Sequence, residues 1–349
     1  MADTSNDFLP GLLKDVSRSF YLTLRVLPDS IRSPIGLAYL LARTTDTIAD
    51  TELVSLEQRT RSLQAFRERI LGSGAPPIDF GELARHQGSP AERLLLEKCE
   101  AGLAQLQELS LADRQLIRDV LSTITSGQEL DLRRFAGASA QQIIALRNDE
   151  ELEDYTYRVA GCVGEFWTKI CRAHLFPEAR LDDSFLLTKA VQFGKGLQLV
   201  NILRDLPADL RKGRCYLPVE KLAAAGLAPA DLLQPANEPR LRPIYHEYLN
   251  RAQTCLGAGW TYTNTLPWRH ARVRLACAWP ILIGAKTLER LRGTNVLDPQ
   301  QRVKISRREV RQTILESVLV YPWPAVWRKL FPPPYPVSGK AVALGTFFA

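Results

Sequence analysis

The sequence predicts an all-α protein built as one helical domain. Three observations carry that expectation: long stretches repeat apolar residues at helical spacing, few runs alternate as strands do, and neither an internal repeat nor a linker-like composition divides the 349 residues. Turn-forming residues gather at 72–90, 212–218, 224–243 and 293–300, and the helical stretches lie between them. The expected layout is a domain over 1–330 followed by a proline-rich tail over 331–349.

The first helix with visible chemistry is PIGLAYLLARTTDTIAD, residues 34–50. Asp46 and Asp50 lie four apart, hence on one helix face, and Arg43 joins them three residues earlier. Two acids side by side on an apolar helix repel each other and cost still more when buried without a partner. A lone pair of this kind reads as a solvated face. A second pair changes the weighing: in GKGLQLVNILRDLPADL, residues 194–210, Gln198, Asn201, Asp205 and Asp209 follow helical steps among Leu197, Val200, Ile202 and Leu203, with Arg204 adjoining. Two acid pairs on apolar helices, distant in sequence, suit facing walls that hold divalent cations between them. Mg²⁺ prefers a few carboxylates plus water and phosphate oxygens, which points to a diphosphate ligand. Pro207 predicts a kink or a helix end near Leu206, because its ring removes a backbone bond and crowds the Leu203 carbonyl.

Composition narrows the classes. Hydrophobic residues make up 46% and charged residues 24%, enough for a core and against wholesale disorder. The net charge of +7 favours anions mildly, but no basic run is interleaved with stacking aromatics, so nucleic acid is not an expected partner. Six cysteines without a CxxC pair and four histidines without HExxH spacing argue against zinc. No apolar run is long enough to span a bilayer, so the expectation is a cytoplasmic protein, soluble or peripheral to a membrane.

Several segments together resemble the head-to-head prenyl synthases, the family of squalene, phytoene and dehydrosqualene synthases. They are SRSFY (17–21), ARTTDTIAD (42–50), YTYRVAGCVG (155–164), QLVNILRDLPAD (198–209) with KGRCYLP, and CAWPILIGAKTL (277–288) leading to VKISRR (303–308). The resemblance implies an isoprenoid-synthase helical bundle around a central cavity. It implies that Asp46, Asp50, Asp205 and Asp209, with Asn201, bind Mg²⁺ and the diphosphates of two isoprenoid substrates. One allylic diphosphate then ionises, the second attacks the cation, and a cyclopropyl intermediate results. Arg43, Gln198, Asn201 and Arg204 match the substrate or diphosphate contacts, while Ser17, Arg18 and Phe20 match a flap over the site. Tyr155 matches a tyrosine associated with proton transfer, with Tyr157 its close competitor. Gly161 and Gly164 are expected to let helices approach. Ala49 and Ala208 depart from the pattern, standing where many members carry glutamate.

The segment VKISRR is similar to one that contacts NADPH in the squalene-forming branch. Lys304 matches its lysine, and Arg307 covers for an arginine replaced by Ser306; Asn201 and Arg204 fall on the same implied cofactor path. The expectation is therefore condensation of two farnesyl diphosphates followed by NADPH reduction, with peripheral membrane contact for product release and no obligate protein partner. Dehydrosqualene-, hydroxysqualene- or phytoene-forming activity without NADPH stays open. So does a non-catalytic prenyl-diphosphate-binding protein.

Overall fold

The computed structural model describes residues 8–17 and 20–333, with side chains described within them except at 8–10, 17 and 20. Helix makes up 74% of the described residues. In chain order the helices are α1 (Phe8–Ser17), α2 (Phe20–Val26), α3 (Asp29–Asp50), α4 (Leu56–Leu71), α5 (Gly81–Arg85), α6 (Pro90–Glu97), α7 (Cys99–Glu108) and α8 (Leu111–Arg134). They continue with α9 (Asp149–Thr156), α10 (Cys162–His174), α11 (Asp183–Arg211), α12 (Val219–Ala224), α13 (Glu238–Thr265), α14 (Ala271–Arg292), α15 (Arg307–Val320) and α16 (Pro324–Arg328). The strand content among the described residues is one short parallel pair, β1 (Ile144–Ala145) with β2 (Arg214–Cys215).

Local chemistry sets these boundaries. Ser55, Ser89, Ser110, Asn148 and Asp182 each precede a helix and accept a bond from the backbone N–H three residues on. The expected breaks fall between helices, except that α5 forms inside the first and α13 starts at Glu238 inside the third.

The buried apolar residues form two large clusters. One gathers on α3, α4, α8 and α10, the other on α11, α13 and α14, and Phe193 packs against both. Helix α11 runs from the first to the second: Leu186 and Ala190 belong to one, Leu199 through Leu210 to the other. As expected, a glycine lets α10 and α11 touch. A Cβ on Gly164 would lie 2.1 Å from the Ala190 carbonyl oxygen. Between α9 and α10, Tyr157–Gly161 adopt a π-helical turn, which re-phases the side chains on either side of it.

Pro207 corrects one expectation. Helix α11 neither ends nor breaks at Leu206 but continues to Arg211. The missing N–H of Pro207 would leave the Leu203 carbonyl without its partner. Tyr245 of α13 supplies a substitute, its hydroxyl donating to that oxygen at 2.9 Å in the core. Asp205 and Asp209 therefore keep helical spacing. Removing the donor as Tyr245→Phe should cost about 1–3 kcal/mol in urea denaturation, the penalty of an unsatisfied buried carbonyl. In a Pro207→Ala background, where an N–H is restored, the same change should cost measurably less. Equal losses in both backgrounds would refute the substitution of one donor for the other.

Candidate active site

The acid end of α3 is held by neighbours on α6 and α8. Thr44, Thr45 and Thr51 turn their hydroxyls back to helix carbonyls, while the buried hydroxyl of Thr47 has no partner among the described residues. Asp46 instead bonds outside its own helix: Gln128 of α8 donates to its Oδ1 at 2.5 Å, and Arg43 lies 4.0 Å from its Oδ2. Arg43 is itself anchored by Glu92 of α6. Asp46 keeps 46% of its side-chain surface open, yet desolvation by surrounding protein is the largest influence on it. Asp46 is thus half-exposed with protein close on its other sides. Desolvation and repulsion from Asp50 push its pKa up to about 6, against the opposing pull of Arg43 and Gln128. Desolvation raises Asp50 too, countered by Arg214, Lys212 and Arg43.

On α11, Arg204 grips Asp205 through two bonds, 2.8 Å from Nε and 2.5 Å from Nη2. Asp209, one turn on, is pushed up to about 7, first by desolvation and then by Asp205, while Arg214 and Lys212 pull it down. The same two cations thus act on Asp50 of α3 and Asp209 of α11. Both are ion-paired with Glu52, two residues beyond the end of α3, Lys212 at 3.2 Å and Arg214 at 3.7 Å, which brings the C-terminal ends of α3 and α11 to the same cations although the two helices do not pack extensively on each other.

Arg214 owes its place to backbone geometry. Gly213 before it has φ +80°, and a Cβ there would lie 2.2 Å from the Ser139 nitrogen. The β1–β2 pairing then fixes the strand, with Ile144 and Leu146 donating to Gly213 and Cys215. Behind the cations stands Asp131 of α8, also pushed up to about 6 by desolvation. Tyr216 donates to its Oδ2 at 2.9 Å, and its Oδ1 is buried without a partner, as is Oε1 of Gln128.

Tyr155 stacks on Tyr216, with ring centroids 4.7 Å apart. Desolvation, then Asp131, Asp209 and Asp46, raise its pKa above the ordinary tyrosine value, so acids from α8, α11 and α3 all surround this one hydroxyl. Tyr157, the first residue of the π turn, points elsewhere: it donates to Glu165 at 3.0 Å and lies under Lys195. Gln198 reaches toward the Tyr155 hydroxyl at 3.5 Å, and Asn201 is exposed beside Gln198.

Other expected residues stand apart. Arg18 and the side chains of Ser17 and Phe20 lie outside the described residues, so the flap has no structural account. Lys304 and Arg307 are exposed ahead of and at the start of α15, and no bond or ion pair joins them to the carboxylates among the described residues. Ser306 caps α15 in a reciprocal box with Glu309, which is what a serine does there in place of a basic side chain. Sequence reasoning missed Gln128, Asp131, Lys212, Arg214 and Tyr216. The signal for the first two was polar residues interrupting an apolar helix at SGQELDL, and for the rest the KGRCY stretch after the second acid pair.

Among the described residues, no group of three or more His, Cys, Asp or Glu side chains is gathered closely enough to hold a metal ion alone. What the site offers is acids on two walls with Arg43, Arg204, Lys212 and Arg214 among them. Alternating charges of this kind suit a polyanion bound together with cations.

The chain resembles known proteins over most of its length. The squalene/phytoene synthase family profile matches residues 13–309. The squalene synthase of Schizosaccharomyces pombe is 27% identical over 312 residues, which span 88% of this chain and 64% of that protein. The presqualene diphosphate synthase of Rhodopseudomonas palustris is 31% identical over 251 residues, spanning 72% of this chain and 76% of that one. The chain spans 32% of the length of the bifunctional lycopene cyclase/phytoene synthase of Blakeslea trispora, which it also matches. Among solved structures, TcSQS in complex with the ligand E5700 superposes with a TM-score of 0.74 at 21% identity, covering 90% of this chain and 86% of that one, and shares the fold. This helical chain, matched by that profile over most of its length, belongs to the squalene/phytoene synthase family.

Proposed function

We propose that this chain is a squalene synthase: it joins two molecules of farnesyl diphosphate head to head through presqualene diphosphate and reduces the product with NADPH. One observation carries the reading, the action of Arg214 and Lys212 on both Asp50 and Asp209. Alignment of the Schizosaccharomyces pombe squalene synthase over 88% of the chain supports the squalene-forming branch.

The residues fit Mg²⁺. Raised carboxylates at Asp46 and Asp209, and the unpartnered oxygens of Gln128 and Asp131, are groups whose repulsion or desolvation a divalent cation relieves. Asp46 and Asp50 from one wall, with Asp205, Asp209 and Asn201 from the other, would hold the ions jointly with diphosphate oxygens. Mg²⁺, when bound, supplies charge stabilisation to the departing diphosphate. Arg214 and Lys212 add fixed positive charge at the same place, without reorganisation as the leaving group departs. Tyr155 stays protonated: its hydroxyl oxygen accepts from Gln198, and it holds a proton near the carboxylates. The apolar clusters behind the acids keep water from an allylic cation. Lys304 and Arg307, exposed and basic, would bind the phosphates of NADPH, which when bound supplies the hydride.

A second reading is favoured by the relative from Rhodopseudomonas palustris, of which this chain covers 76%: a reaction that stops at presqualene diphosphate. Incubation with Mg²⁺ and farnesyl diphosphate separates the two. Squalene that forms only when NADPH is present supports the first reading, a cyclopropyl diphosphate that accumulates regardless of NADPH supports the second, and no condensation at all refutes both. Asp46→Asn and Asp205→Asn should each lower kcat at least about a hundredfold with the fold kept by circular dichroism. Tyr155→Phe should slow turnover more than Tyr157→Phe; the reverse order would move the proton-handling role to Tyr157.

The raised carboxylates also dictate a pH dependence in the metal-free protein. Below the ordinary carboxylate pKa, both folded and unfolded chains hold the Asp209 proton, so nothing is lost. As pH rises from about 4 to about 7 the unfolded chain releases that proton first, and stability falls until the folded-state pKa of about 7 is passed. Asp209→Asn has no such proton to lose. In EDTA, the stability of Asp209→Asn relative to the unmodified chain should therefore grow across this window by chemical denaturation. A flat or shrinking difference would contradict it.

A further inference from the structure

We propose that the outward face of α15 and α16 docks on an anionic lipid bilayer. Of the exposed large hydrophobic residues among those described, Leu315, Val318, Leu319, Trp323 and Val326 crowd between 315 and 326, with exposures of 45–61%. The others, such as Leu53, Leu111 and Leu233, are scattered along the chain. Scattered exposed apolar residues need no explanation, whereas a contiguous ridge does.

The segment is seated firmly by its other side, so the ridge is not a loosely attached helix waiting to bury it. Ser317 accepts from Trp279 Nε1 at 3.0 Å, and Thr313 accepts from Lys286 Nζ at 2.8 Å. Trp327 is fully buried, stacks on Trp260 and donates to Asn264 at 2.9 Å. Tyr321 donates to the Trp268 carbonyl at 2.5 Å. With Thr313 and Ser317 turned inward, helical spacing turns Leu315 and Leu319 outward, and Arg308 and Arg311 fall on the same face toward the N-terminus. Pro322 and Pro324 bracket the exposed Trp323.

Charge selects the partner. Arg308 and Arg311 precede the ridge, and the exposed Arg328 and Lys329 follow it. Of the two acids in this stretch, Glu309 is taken up by Arg290 and Ser306, and Glu316 accepts from Gln312. An apolar centre with tryptophan at its edge and cations at both ends is the pattern of a helix lying in the interface of an acidic membrane. No helix among the described residues is long and apolar enough to cross one. The face is defined by its geometry and chemistry alone and does not depend on which reaction the carboxylates serve.

Flotation of the full chain with vesicles tests it, one set of phosphatidylcholine alone and one mixed with phosphatidylglycerol. The unmodified chain should bind the acidic vesicles at least about tenfold more tightly than the neutral ones. Leu315→Glu/Leu319→Glu should lose at least about tenfold in binding to the acidic vesicles. Arg311→Gln/Arg328→Gln should lose most of the preference for acidic over neutral vesicles and much of the salt dependence. Unchanged melting by circular dichroism shows that the variants fold. Two outcomes overturn the proposal: a chain that stays unbound with both vesicle types, or a dimer by light scattering that Leu315→Glu/Leu319→Glu converts to monomer, which would make the face a contact between copies.

Discussion

The site is governed by the electrostatic cost of gathering carboxylates where protein, not water, surrounds them. Asp46, Asp50, Asp131 and Asp209 are each raised first by desolvation and come from three different helices. Left alone, such a group either takes up protons or swells apart. Arg214 prevents the second outcome by opposing Asp50, Asp131 and Asp209 together. Its position is a property of the backbone rather than of packing by its own side chain: Gly213 makes the turn, and two residues of parallel pairing hold the strand. The small β element in an otherwise helical protein therefore has a specific job, the aiming of one guanidinium.

The scaffold around that cluster is built to resist relaxation. Helix α11 carries one acid pair and spans both apolar clusters, so tilting it would disturb each of them. Its proline could have been a hinge beneath Asp205 and Asp209, yet Tyr245 satisfies the carbonyl that the proline abandons. On α3, Thr44 and Thr45 close on their own helix, and Arg43 is tethered to Glu92 beside Asp46. Fixed dipoles and charges aimed at a place where charge will develop are worth more than mobile ones, because nothing must reorganise when the bond breaks.

The acid pairs were legible in the sequence because i,i+4 spacing on an apolar helix is a local pattern, and so was the all-helical architecture, which follows from periodicity. Arg214, Asp131 and Gln128 were not legible as site residues. Each is a single polar residue whose meaning comes from chain segments tens of residues away, such as the Tyr216 hydroxyl that reaches Asp131. The choice between Tyr155 and Tyr157 was equally hidden. Two residues apart on a helix, they face opposite sides, and which side meets the carboxylates is set by how α9 packs on α11. Pro207 was misjudged for a related reason: its penalty is real, but the compensating hydroxyl sits on α13.

The proposed function requires Asp50 and Asp209 to share one ligand. Calorimetric titration with Mg²⁺ and inorganic pyrophosphate, on the unmodified chain, Asp50→Asn, Asp209→Asn and the double variant, measures this directly. If both walls grip the same ligand, the two substitutions will be non-additive, with a coupling of at least about 0.5 kcal/mol. Additive losses, or pyrophosphate binding that ignores one of the two aspartates, would contradict the account.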